Sequence, residues 1–254
     1  MLAISLHAET LFYIGSFPVT NALMLSALVF IVLVTLALVL RRRILMVPGM
    51  VQNIAEYIVE SALDIMDSVL GDRRQSEKYF PLVFTVFLFI LSSNWLGLLP
   101  GVGSLVVGSG ASAVPLFRSP ASDLNFTLAL ALIAITFVNV ASVAAIGIKA
   151  RLSAFFNFKG PIEFFAGILE IVSEFAKIIS LSFRLFGNVF AGEVLLAIMA
   201  FLVPYVIPLP FLFLEIFVGS IQAFIFAMLT TVFIAMALVG HGEETGEPGH
   251  QGVS

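Results

Sequence analysis

Between Pro161 and Val203 the sequence runs for about forty residues with few polar interruptions, and that length limits what the chain can fold into. At about 1.5 Å per residue, a helix of that size reaches roughly 60 Å, about twice the thickness of a bilayer's hydrocarbon core. A single upright helix is excluded. The segment must lie strongly tilted, bend, or extend well beyond the membrane.

Other apolar runs set the rest of the architecture. Asn21 to Leu40 is about the twenty residues a transmembrane helix needs, and further spans are expected over 80–99 and 124–148. A last helix is expected over 211–239, after the proline-rich turn PYVIPLP. Composition agrees, with 60% hydrophobic residues, 11% charged and a mean hydropathy of +1.12 over 254 residues. A soluble domain has about 45–50% apolar and roughly 25% charged residues. The fold expected is therefore an all-α integral membrane protein, a single membrane domain over 1–254. It has about five transmembrane helices and one amphipathic surface helix, with the last two helices long and tilted as a hairpin. The polar, glycine-rich tail 240–254 is expected to be disordered.

The surface helix is placed at 48–70. There Val51, Ile54, Ile58, Ala62, Ile65 and Val69 form one apolar stripe, with Gln52, Glu56, Glu60, Asp64 and Asp67 between them. Pro48 suits a first turn and Gly71 a carboxyl-terminal stop. Its acidic polar face suits a partner better than anionic lipid.

Arg41, Arg42 and Arg43 follow the first span, the reverse of a cleavable leader, so this span is retained and its arginines lie in the cytoplasm. The linker from Gly101 to Asp123 holds one basic residue, Arg118, whereas the next connection holds Lys149, Arg151 and Lys159. The expected topology has the amino terminus outside and the carboxyl terminus in the cytoplasm. The absence of cysteine excludes disulfides, thiolate metal sites and thiol catalysis. There is no GxxxxGK[ST] phosphate loop and no basic, aromatic nucleic-acid surface, so no nucleotide chemistry, cofactor, metal or nucleic acid is expected.

Against this apolar background the charges stand out. Glu170, Glu174, Lys177, Arg184 and Asn188 are separated by four, three, seven and four residues. At about 100° per residue they fall within about 80° of one helix circumference, a narrow polar seam. Glu193 lies on a neighbouring face, and Glu215 enters from the last helix. Each charge near the bilayer centre costs about 2.5–3.5 kcal/mol unless it is paired or faces water. Glu170, Glu174 and Lys177 can neutralise one another along the helix, and Lys177 can snorkel. Arg184 has no acid at the three- or four-residue spacing, so its counter-charge must come from another helix or another chain. By topology Glu193 and Glu215 belong to the outer half of the membrane and Glu170 and Glu174 to the inner half. An ion path of that form is interrupted in the middle by a guanidinium that does not titrate.

The stretch SFRLFGNVFAGE, with IQAFIFAMLTTVFIAMAL downstream, resembles subunit a of bacterial F-type rotary ATP synthases, the stator channel beside the ring of c subunits. PGMVQNIAEYI, NWLGLLPG and PASDLNFTLALAL look like the same family, in the same order. The resemblance implies that Arg184 meets the carboxylate of each passing c subunit and prevents a proton short circuit. It implies that Asn188, Glu193, Glu215 and Gln222 line the outer half-channel or approach the arginine, and that Glu170 belongs to the inner one. Many relatives have histidine where this chain has Glu215. Asn125 and Thr127 match a family segment too, and capping and helix packing account for them. The subunit is then non-catalytic, and its partners are the c-ring, the peripheral-stalk b subunits, the other ATP synthase subunits and membrane lipid. The location implied is the bacterial inner membrane.

Two other classes compete for the same residues. An ion-coupled secondary transporter would also carry intramembrane charge, but no second copy of the RLFGN region is visible as an internal repeat. A passive membrane anchor would use the seam for helix association alone.

Overall fold

The computed structural model describes residues 8–42, 44–99, 105–107, 114–155, 160–203 and 208–239. Arg43, Lys159, the first four residues of the PYVIPLP turn (204–207) and the tail 240–254 expected to be disordered lie outside the described residues.

Helices dominate. They are α1 (Asn21–Arg42), α2 (Met50–Leu70), α3 (Arg73–Gly97), α4 (Leu124–Ile146), α5 (Ile148–Phe155), α6 (Pro161–Leu202) and α7 (Pro208–Val239). Five of them, α1, α3, α4, α6 and α7, are long and apolar enough to cross a membrane. α6 is continuous over 42 residues. It packs against α7, its neighbour in sequence, and both pack against α4.

The core lies where α3, α4, α6 and α7 meet. Ile90, Ala131, Ala134, Ile135, Leu181, Leu185, Ala223 and Phe226 are buried there together. Alanines on α4 and α7 let the backbones approach, the usual device where lipid supplies no hydrophobic drive between helices. Two buried hydroxyls on α7 return to their own helix, Thr230 to Phe226 O at 2.9 Å and Thr231 to Ala227 O at 3.0 Å. No polar group is then stranded in the core at these positions. Outward, α1, α6 and α7 present bare hydrocarbon: Phe30, Ile31, Phe165 and Phe213 are each more than half exposed. Such a surface fits lipid and partner subunits.

Four details differ from the hydrophobic pattern. α3 starts at Arg73 and not near Phe80, because Asp72 caps it, accepting from Arg74 N at 3.1 Å, and the polar first two turns prolong the helix past the apolar stretch. The run expected over 124–148 breaks at Gly147, whose φ of 88° ends α4 before the short α5 begins. α7 starts at Pro208, three residues early, since proline is tolerated in a first helical turn. Strands Thr10–Ile14 and Phe17–Thr20, β1 and β2, form an antiparallel hairpin that the apolar pattern did not announce. Asn21 ties it to α1, its Oδ1 accepting from Glu9 N at 3.2 Å and from Ala22 N at 2.9 Å.

In the linker before α4, β3 (Val106–Val107) pairs with β4 (Val114–Pro115), and a 3-10 turn at Pro120–Ser122 packs on α6. α2 folds back on α3 through Gly71, held at φ 71°. Arg73 just beyond the turn meets Glu60 at 2.8 Å, Asp67 at 2.9 Å, Asp64 at 3.2 Å and Glu77 at 3.4 Å. One guanidinium thus collects the acidic face of α2.

Candidate functional site

α6 is the spine of the site, and its polar seam divides into three zones with different surroundings. Toward its amino end the seam is walled in. Glu174 accepts from Lys177 Nζ at 2.8 Å, from Asn139 Nδ2 on α4 at 2.9 Å and from Arg151 Nη2 on α5 at 3.1 Å. Arg151 also reaches Glu170, with Nη1 to Oε1 at 3.5 Å. It is oriented from the far side by Asn139 Oδ1, which accepts from its Nη2 at 2.7 Å and its Nε at 3.2 Å. Phe233 on α7 lies beneath Lys177, 5.4 Å from Nζ to ring centroid, a cation–π contact that shelters the ammonium. These groups border a cavity of about 350 Å³ lined by Arg151, Glu170, Ser173, Glu174, Lys177 and Met236 among others. It is roomy and polar enough to hold several waters.

The middle zone is open. Arg184 and Asn188 stand on an exposed face of α6 with Ser180 and Gly187. Arg184 Nη2 donates to Ser180 Oγ at 3.2 Å, and among the described residues no carboxylate lies within ion-pair distance of its guanidinium. Asn188 Nδ2 donates to Gln222 Oε1 on α7 at 2.7 Å. Gln222 is only 2% exposed, so this bond joins the open face to the α6–α7 interior.

The third zone turns away from that face. Glu193 points to the linker before α4, where Arg118 Nη2 is 3.6 Å from its Oε2 and Arg118 Nε donates to Ser122 Oγ at 3.0 Å. Glu215 comes from α7, 8% exposed, close enough to Glu193 for the two carboxyl groups to interact electrostatically. It fills the space beside Gly192, where a Cβ would collide with its carboxylate. α6 therefore needs glycine there for α7 to bring an acid so near.

Along α6, Glu174 to Arg184 is about 15 Å and Arg184 to Glu193 about 14 Å at the helical rise. Two polar clusters are thus held apart, and the lone guanidinium stands between them on the open face. Each cluster brings two carboxyl groups together, Glu170 with Glu174 and Glu193 with Glu215. Arg184 can hold an incoming carboxylate, and as a permanent cation it can repel a proton. No group of three or more metal-ligating side chains occurs among the described residues.

The expected site residues thus fall into separate groups, Glu170 with Glu174, Arg184 with Asn188 and Gln222, and Glu193 with Glu215. Thr127 Oγ1 meets Ser182 Oγ on α6 at 3.1 Å, and Asn125 N is capped by Asp123 at 3.0 Å, packing and capping roles. Three polar partners were not singled out by sequence reading: Arg118, Asn139 and Arg151. The two arginines served there only as topology markers. Their signal was position, a cation beside a span whose partner helix carries an unbalanced acid.

Compared with known proteins, residues 22–235 match the family profile described as ATP synthase A chain. A curated relative named ATP synthase subunit a, from Campylobacter jejuni subsp. doylei, is 36% identical over 215 residues, covering 84% of this chain and 87% of the relative. Another of the same name, from Helicobacter pylori, is 36% identical over 202 residues, covering 78% and 80% respectively.

Proposed function

The chain belongs to the ATP synthase A chain family, a multi-pass membrane component of ATP synthase, and from that premise we propose that it is the stator proton channel of the membrane sector. Two offset half-channels lead to and from the carboxylates of a c-ring. Glu193 and Glu215, with Asn188 and Gln222 beyond them, form the outer path, and Glu170 and Glu174 border the inner one. Arg184 separates the two.

The observation that carries this reading is the setting of Arg184: an arginine on an exposed face of a membrane helix, with no carboxylate partner in the described part of its own chain. A charge so placed is costly in lipid, so a carboxylate of another chain is the natural complement. A c-ring acid that has released its proton is such a group. During synthesis a proton from outside passes Glu193 and Glu215 and neutralises a ring carboxylate, which then faces lipid without charge. After the ring has turned, that carboxyl group gives up its proton to the inner cavity and returns to Arg184 as an anion. The ring carboxyl alternates between a neutral acid that can face lipid and an anion paired with Arg184, and the alternation biases rotation. Nucleotide chemistry falls to other subunits, and b subunits of the peripheral stalk hold this one still.

The orientation proposed is that of a bacterial inner-membrane protein with an outer amino terminus and a cytoplasmic carboxyl terminus. The chain has no cysteine, so introduced ones are unique within it. A cysteine at Ser173, in the inner cavity, should react with a membrane-impermeant thiol reagent only from the cytoplasmic side, and one at Glu215 only from outside. Labelling of both from one side would refute the two half-channels.

A further inference from the structure

Two acids border the inner cavity, and their surroundings are unequal. Glu174 accepts from three donors at 2.8–3.1 Å, two of them cationic, and its side chain is 12% exposed. Glu170 has one charged contact, Arg151 at 3.5 Å, and is 36% exposed toward the cavity. A carboxylate saturated by an ammonium, a guanidinium and an amide is a fixed anion, since protonation would forfeit three charge-assisted bonds. One held loosely at the edge of a wet cavity can exchange protons with it.

Arg151 links the two. It arrives from α5, outside the seam helix, is buried, and is aimed by two bonds to Asn139 of α4. The charged groups around the cavity are Glu170, Glu174, Lys177 and Arg151, two of each sign, while α4 contributes Val138 and α7 Phe233, Met236 and Ala237, none of them titratable. Protonation of Glu170 is then the change the site tolerates with least rearrangement.

We propose that Arg151 is a positioning residue of the inner half-channel, which fixes Glu174 as a permanent counter-ion and leaves Glu170 as the acid that passes protons between the cavity and the ring. The inference deepens the proton-channel reading and rests on it. It removes Glu174 from the carriers, although the polar seam places both acids on one face.

The test is ATP-driven acidification of inverted vesicles, in which the inner cavity faces the medium, with the assembled complex quantified for each variant. E170Q should lower pumping roughly tenfold or more, and E174Q, which retains a hydrogen-bonding amide for Lys177 and Arg151, only about threefold. R151A should move the pumping profile toward higher medium pH, because a neighbouring cation favours the charged form of an acid; R151K should keep the profile. In the E170Q background the shift from R151A should vanish. A loss in assembled E174Q complexes as deep as in E170Q would overturn the proposal, and so would an unmoved profile in assembled R151A. If R151A fails to assemble, the comparison of E170Q with E174Q decides alone. R184A in parallel separates the two levels. Normal pumping there would remove the channel reading itself, whereas abolished pumping with E174Q equal to E170Q would remove only the assignment to Arg151 and Glu174.

Discussion

Gly192 illustrates how little room Glu193 and Glu215 have. Its backbone lies against the Glu215 carboxylate, and a single methyl group would occupy the same space. Gly192→Ala should therefore displace Glu215 from Glu193 while leaving the apolar packing of α6 largely intact. A shift of about 1 Å in a positioned group can cost about 100-fold in rate, so proton pumping in vesicles should fall at least roughly tenfold at normal assembly; undiminished pumping would show that the placement of Glu215 is unimportant. Some of this residue-level detail was legible and some was not. The pairing of Glu174 with Lys177 follows from their three-residue spacing, and the structure places it at 2.8 Å. Arg151 and Asn139 join the same cluster from 23 and 35 residues away from Glu174, distances at which no helical spacing predicts contact. Arg118 meets Glu193 across α4 and most of α6, equally beyond local pattern.

At the scale of elements, hydrophobic length indicated where helices would lie, because a bilayer leaves few other ways to satisfy a backbone. Ends were set by chemistry that hydropathy does not read: the Asp72 cap, the Gly147 break and the prolines opening α7. The α2–α3 turn carries a prediction of its own. Gly71 sits at φ 71°, donates its N–H to Asp67 O at 2.8 Å, and has nothing within 4 Å of a built Cβ. Gly71→Ala therefore meets no clash and tests backbone conformation alone. It should destabilise the hairpin by about 1 kcal/mol, read as a lower unfolding midpoint in detergent. The Arg73 cluster should hide less of this loss than its four contacts suggest, since exposed ion pairs are screened by solvent and contribute little.

At the scale of the whole molecule, what the sequence could not disclose is which side of the polar seam is closed. Five charged or amide residues share one stripe of α6, yet α4, α5 and α7 cover its amino-terminal third while the middle stays open. That difference depends on how the helices are assembled, and it splits a uniform stripe into a covered acidic cluster and an open face with an exposed cation, with the Glu193–Glu215 pair turned away beyond it. The same assembly leaves much of α1 beyond Val32 uncovered, apolar surface for lipid or a neighbouring subunit.

The central claim is that Arg184 keeps the two half-channels apart, and passive proton leak tests it most directly. In vesicles carrying fully assembled Arg184→Ala complex, the leak should rise above that of the unaltered complex while ATP-driven acidification disappears. An unchanged leak with normal acidification would contradict the account and return Arg184 to helix packing.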